Sequence, residues 1–414
     1  MSPEQSAKDD RRLFRARWIL PRSGVVHVDG AVQVAGGVVE EVLPDHGAVG
    51  RAGAAGIEIV DLGDVALTPG LVNAHAHLEL GALAGRLPRA RPFEEWVGAL
   101  LALRAAADAG ELESGLARDG RALLESGTTA VGDIDSLGLA ATAGPTAMPR
   151  RRVYRELLDG RDAARRAAIV AALSVPLAET DHLLEGLSPH APFSISDELL
   201  AAVASTARVR GLPVAMHWAE TPEEVAWLDG GEGWFGRFFP PAAGMAGIDA
   251  LERHGLLGPA TTLIHGNHPR ADEPRRIASA GATVVHCPGS HAYFERGPFP
   301  LQRYLDVGVP IALGTDSSAS NDRLDMRREL ALLRTEFPGL DPIRAWSAAT
   351  EVGARGLGLQ GRAGCLAPGA WADLVAFELP EPLPADSWDW LTAAAPAVRG
   401  TWIGGRPVPS DALQ

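Results

Sequence analysis

The sequence predicts an α/β protein: a closed parallel (β/α)8 barrel of the TIM type carrying one small β-sheet built from both ends of the chain. Three observations carry that prediction. Eight short apolar runs alternate with alanine- and leucine-rich helical stretches, the two ends share a different, valine- and glycine-punctuated character, and nearly every run of the middle ends in a histidine or an aspartate.

The N-terminal end contains GVVHVDGAVQVAGGVVEEVLP and then GIEIVDLGD, where alternation of valine with polar residues and the turn signals DG and GG imply hairpins. GAWADLVAFEL and AVRGTWIGGRPV repeat that style at the C-terminal end. Between them the candidate strands are LTPGLVNAHAH, TTAVGDI, RVYRELL, LEGLSPH, LPVAMHWAE, TTLIHGN, ATVVHCP and VPIALGTD. Stretches such as SGLARDGRALLES, RDAARRAAIVAALS, SDELLAAVASTARVR and MRRELALLRTE have helical periodicity with a charged face. The expected division is residues 1–66 and 366–414 for the two parts of the terminal β unit and 67–365 for the barrel. A doubly wound open sheet is the alternative, but no glycine-rich nucleotide fingerprint follows its first strand.

Composition narrows the function. The chain has 414 residues, 46% hydrophobic and 22% charged, with a formal net charge of -14 that repels phosphate backbones and anionic lipid, so neither nucleic acid nor a membrane is expected as a partner. The two cysteines, Cys287 and Cys365, are far apart and suggest no disulfide framework; no signal-like or membrane-length apolar run is present, and a cytoplasmic setting is expected. Lys8 is the single lysine, which leaves almost no candidate for a Schiff base, a phosphate-gripping lysine or a carboxylated lysine bridging two metals.

The strand ends carry the chemistry. His75 and His77 end the first strand, His190 the fourth, His217 the fifth, His265 the sixth, His286 the seventh and Asp316 the eighth. In a (β/α)8 barrel those ends converge on one mouth. A divalent transition ion there takes three or four imidazole and carboxylate ligands with a position left for water, a demand met by His75, His77, His217 and Asp316. Zinc is the expected ion, with iron or manganese as alternatives.

The pieces PGLVNAHAHLEL, SPHAPFSIS, HWAET, IHG, HCPGSH, GTDSSASN and PGAWADLV, spread over the chain after about residue 20, resemble the amidohydrolase superfamily, in particular its mononuclear deaminase and chlorohydrolase branch. The resemblance implies a distorted (β/α)8 barrel with a β-sandwich from both termini. It implies one metal held by His75, His77, His217 and Asp316, a proton shuttle at Glu220, and assistance from His265 at a metal-activated water, with Asp316 taking the water proton. The implied reaction is hydrolytic deamination of an aminated heterocycle, such as a purine nucleoside or aminodeoxyfutalosine. Hydrolysis of a cyclic amide, as in imidazolonepropionase-like relatives, displacement of chloride from a triazine, and a non-catalytic binding role on the same fold are the alternatives. His190 stands where the branch contacts its substrate ring.

Substrate contacts are expected from Glu79, Trp96, Ser317 and Asn321 as well, each with a structural alternative: a helix start for Glu79, core packing for Trp96, turn chemistry for the other two. Glu156 in RVYRELL is the nearby carboxylate that could bridge a second ion. The chain departs from the family at the seventh strand, where HCPGSHAYF replaces HNPxSN and leaves open what His291 and Tyr293 do. It departs again in the tail, where Ala370 replaces a lysine. A homodimer is expected from the resemblance.

Overall fold

A computed structural model describes residues 11–53, 57–89, 92–139, 148–230, 233–238 and 247–409; Lys8 lies outside them. Eight parallel strands form the central sheet: β6 (Leu71–Ala76), β7 (Thr128–Asp135), β8 (Arg150–Leu157), β9 (Leu183–Pro189), β10 (Val214–Trp218), β11 (Thr261–His265), β12 (Thr283–His286) and β13 (Ile311–Leu313). They follow one another in sequence order. All eight expected runs are strands. The helices anticipated between them form at Ala109–Glu125, Ala163–Leu173, Asp197–Arg210 and Met326–Glu336.

The first and last strands close the barrel. The Asn73 side chain accepts from the Thr315 amide at 3.1 Å and donates to the Thr315 hydroxyl at 2.7 Å. The His75 carbonyl accepts from the amides of Thr315 and Asp316, both at 3.1 Å. The closure is uneven: β9 and β10 share a single registered pair, Leu187 with Val214, and the β6 ladder slips between Asn73 and Ala76. These irregularities are the distortion that the family resemblance implied.

The remaining strands come from both ends of the chain. β1 (Arg12–Arg22), β2 (Val25–Ala35), β3 (Val38–Leu43), β4 (Glu58–Asp61), β5 (Val65–Pro69), β14 (Leu374–Glu378), β15 (Val398–Ile403) and β16 (Arg406–Pro407) make one sheet, with β5 and β14 joining its N- and C-terminal parts. The sheet rolls back on itself, because Val39 exchanges backbone bonds with Ala370 and Gly369 just ahead of β14. Phe14, Val32, Val34, Leu67, Leu374 and Ala376 fill the resulting core.

Period-two alternation separates the two faces of the barrel wall. Leu187, Met216, Leu263, Val284 and Leu313 pack outward against the helices, while Ala130, Tyr154, Ala215 and Ile264 meet inside. Glu156, two residues after Tyr154, and His217, two after Ala215, therefore continue the inward face.

A buried ion pair ties the terminal sheet to the barrel. Arg150, at the start of β8, grips Asp373 of the ADLV segment through two bonds of 2.7 and 3.1 Å, with the two side chains 6% and 4% exposed. Asp373 also accepts from the Gly404 amide, Arg150 donates to the Asp181 carbonyl, and the guanidinium lies over Trp371 at 4.3 Å. Asp373→Ala strands the buried cation and is expected to cost about 3–5 kcal/mol. Urea unfolding followed by circular dichroism checks this, and the double variant Arg150→Met/Asp373→Leu is expected to recover most of the loss.

Candidate active site

The inward faces meet at the C-terminal mouth of the barrel in a cavity of about 310 Å³. Ten of the side chains singled out from the sequence line it: His77, Glu79, Trp96, Glu156, His190, His217, Glu220, His265, Asp316 and Ser317. His75 lies directly behind, its ring centroid 4.9 Å from that of His77, 5.1 Å from His217 and 5.7 Å from His265.

The imidazole cluster has the character of a cation site. Ligand nitrogens of His75, His77 and His217 lie within 4.8 Å of one another, and Nε2 of His77 and of His217 are 3.2 Å apart. Two ligands disposed tetrahedrally about a zinc ion are separated by roughly 3.3 Å. His217 Nδ1 bonds the His190 carbonyl at 3.1 Å, so this nitrogen carries the proton and Nε2 keeps its lone pair for the cluster. Among the described residues neither ring nitrogen of buried His75 has a hydrogen-bond partner, and its Nε2 is 3.7 Å from Asp316 Oδ1. Burial, reinforced by neighbouring imidazoles, pushes His217 down to about 3 and His77 well below the ordinary histidine range. Burial alone would raise Asp316, but the adjacent imidazole of His75 and the fields of His265 and His77 outweigh it and hold the carboxyl well below its usual range. Three imidazoles and one carboxylate are the donor set a divalent transition ion takes. Ser290, from the HCPGSH segment, donates to Asp316 Oδ2 at 2.8 Å and orients it.

Backbone conformation aims two of these groups. His265 and Asp316 have φ of 73° and 59°, in the left-handed region that costs a non-glycine residue on the order of 1–3 kcal/mol. Ile264 faces inward, so regular alternation would send His265 out to the helices; the left-handed turn brings it back to the cavity.

Glu220 sits before the helix Pro222–Leu228, outside its first turn. Thr221 caps that helix through the Glu224 amide, and Glu224 accepts from the amides of Ala219 and Glu220 at 3.0 and 2.9 Å. The helix-start role open to Glu220 in the sequence thus falls to its neighbours. Glu220 Oε2 is 3.7 Å from His265 Nε2, and Oε1 accepts from Arg296 at 2.7 Å. Arg296 also bonds the Glu220 carbonyl and lies over the Phe294 ring at 4.9 Å. Burial raises Glu220 above the usual carboxylic range, and Arg296 opposes that rise.

Other expected residues are placed differently. Glu79 stands on a 3-10 turn, Leu78–Leu83, because β6 has ended at Ala76; it still reaches the cavity, with its carboxylate accepting from the Ser136 amide and hydroxyl and from the Leu137 amide. Trp96 combines both roles weighed for it, lining the cavity while it packs on Leu80 and Leu83 and donates to the Ala319 carbonyl. Ser317 lines the cavity and its hydroxyl pairs with Ser320 at 2.9 Å. Asn321 does not line it: its amide bonds the Thr315 carbonyl and Glu329, and its oxygen accepts from Asp322 and Arg328, which fastens the loop after Asp316.

His286 also departs from the expected convergence. It shares the outward face of Val284 and stacks on Phe299 with centroids 3.9 Å apart, behind the mouth. His291 bonds the Gly297 carbonyl and Tyr293 the Leu87 carbonyl, and neither lines the cavity.

A sequence model of the amidohydrolase family matches residues 66–408. The chain belongs to the amidohydrolase family. It is 32% identical over 340 residues to the 5-methylthioadenosine/S-adenosylhomocysteine deaminase of Teredinibacter turnerae, covering 78% of this chain and 74% of that protein. It is 31% identical over 369 residues to the aminodeoxyfutalosine deaminase of Deinococcus radiodurans, covering 81% of each. A solved structure of an adenosine deaminase from Xanthomonas campestris, with bound zinc, superposes with a TM-score of 0.82 at 28% identity, over 97% of this chain and 95% of that one.

In this amidohydrolase, inspection of the sequence overlooked Arg296, Arg104 and the aromatic wall of Phe93, Phe193, Trp234 and Phe294. The aromatic-rich spacing of PFEEW was a signal for Phe93; Arg296 had none, since its partner lies 76 residues away. His217→Ala is expected to abolish retention of a divalent ion. Ser290→Ala, which frees one oxygen of Asp316, is expected to weaken it about 10-fold, both read by competition with a chromophoric chelator.

Proposed function

We propose that this amidohydrolase is a zinc-dependent hydrolytic deaminase that releases ammonia from an adenosine-type heterocycle. The observation that carries the reading is Glu220, buried in the wall of a largely apolar cavity and held between His265 and Arg296 beside the imidazole cluster. Relatives named as deaminases of adenosine derivatives support it.

His75, His77, His217 and Asp316 would hold the ion. When bound, it supplies Lewis-acid chemistry that lowers the pKa of water from roughly 15.7 towards about 7. The chain's own residues do the rest. Desolvation favours the protonated form of Glu220, so the group holds a proton for the ring nitrogen beside the attacked carbon. Neutral His265 offers Nε2 to orient the attacking water, and ionised Asp316 accepts its proton. Phe93, Phe193, Trp234 and Phe294 give flat apolar surface for a heterocycle and exclude bulk water. The amine leaves as ammonia once protonated. The small-molecule substrate is the only partner the reading requires. Among the described residues no helix is long and apolar enough to cross a membrane, and the cytoplasmic setting is part of the proposal.

Glu220→Gln is expected to keep its metal and lose at least about 100-fold in kcat for ammonia release from 5′-methylthioadenosine or adenosine. Full activity in that variant would overturn the role of Glu220. Arg296→Met frees Glu220 from its clamp and is expected to lower kcat by about 10-fold with metal content unchanged, measured by the same assay and elemental analysis.

A further inference from the structure

Glu156 is a cavity-lining carboxylate that the mechanism leaves unused. It follows Tyr154 on the inward face of β8 and lines the cavity with its side chain 7% exposed. Its Oε1 is fully buried and, among the described residues, has no hydrogen-bond partner. Glu79, on the same side of the cavity, makes the opposite case, because three donors from Ser136 and Leu137 already occupy its oxygens. Beside Glu156 stands His190 of the next strand, whose Nε2 is 4.0 Å from Oε1, beyond hydrogen-bond reach, while its Nδ1 is engaged by the Ser194 hydroxyl at 2.7 Å.

A buried carboxylate oxygen left without a donor is costly, and for a carboxylate in the wall of a binding cavity that cost is recovered when a ligand brings the donor. The position narrows the donor. Glu220, His265 and Asp316, where the amine departs, come from the ends of β10, β11 and β13, whereas Glu156 and His190 come from β8 and β9. We propose that Glu156 is a specificity-determining residue that accepts a hydrogen bond from an O–H or N–H group on the substrate's substituent, away from the leaving amine. For an adenine nucleoside that donor is a sugar hydroxyl. The inference deepens the deaminase reading and rests on it. A site built around such an acceptor rejects analogues lacking the donor, because the carboxylate is then left buried and unpaired.

The test compares zinc-loaded wild type with Glu156→Leu and Glu156→Gln on adenosine, 2′-deoxyadenosine and 3′-deoxyadenosine, with ammonia release and bound zinc both measured. The wild type is expected to favour adenosine over at least one deoxy probe by about 10–100-fold in kcat/KM. Glu156→Leu is expected to raise KM for adenosine by a similar factor with kcat little changed, to leave the disfavoured probe unaffected, and so to erase the preference. Glu156→Gln, which keeps a neutral acceptor, is expected to restore part of it. Should the leucine variant not fold, a glutamine variant with undiminished discrimination overturns the proposal. It is also overturned if Glu156→Leu slows all three probes equally or leaves the preference intact. Loss of zinc from the variant would make Glu156 a cation ligand with His190 and His217, and would overturn it too. If the wild type releases ammonia from none of the probes, the deaminase reading itself fails and the inference falls with it.

Discussion

The seam between β6 and β13 is the constraint on which the site depends. Asn73 and Thr315, 242 residues apart in sequence, lock side chain to backbone and side chain to side chain across it. The His75 carbonyl then takes two amides from the opposite strand. That seam sets the imidazoles of the first strand beside the carboxylate of the last. An open sheet would leave His75 and Asp316 on opposite edges, and no arrangement of helices could bring them back together. Among the described residues the two strands are paired there by an isolated bridge, Ala76 with Asp316, so the seam is not a regular continuation of the sheet.

Much of this architecture was legible in the sequence because a parallel barrel writes itself as a rhythm. Short apolar runs and helical stretches alternate, and each strand's register mattered little for recognising it. The direction of individual side chains was less legible, because it depends on phase. His286 ends its strand as expected, yet shares the outward parity of Val284 and stacks on Phe299. His265 has the wrong parity and is redirected by a left-handed backbone that no local signal announces. Asn321, plausible as a pocket residue by its place after Asp316, spends its whole amide on holding the loop.

The residues that escaped the sequence are those defined by a partner. Arg296 follows a short helix, Pro288–Tyr293, and matters only because it reaches Glu220 and lies against Phe294. Glu156 was visible as a carboxylate near a metal, but its distinguishing property is an absence of donors, which only the packed wall reveals. Glu79 was visible for a good reason, and its carboxylate turned out to be held by Ser136 and Leu137. Pairing of this kind is a three-dimensional property, so residue type and spacing carry little of it.

The Arg150–Asp373 pair gives the assembly an order in time. A ribosome exposes Arg150 long before it makes Asp373, since the acid lies 223 residues further along. Until the last strands of the terminal sheet emerge, the barrel carries an unneutralised guanidinium at a place destined to be dry. The nascent protein therefore neutralises that cation only when its tail arrives, and a product halted short of the ADLV segment retains a reason to stay loose and open to proteolysis.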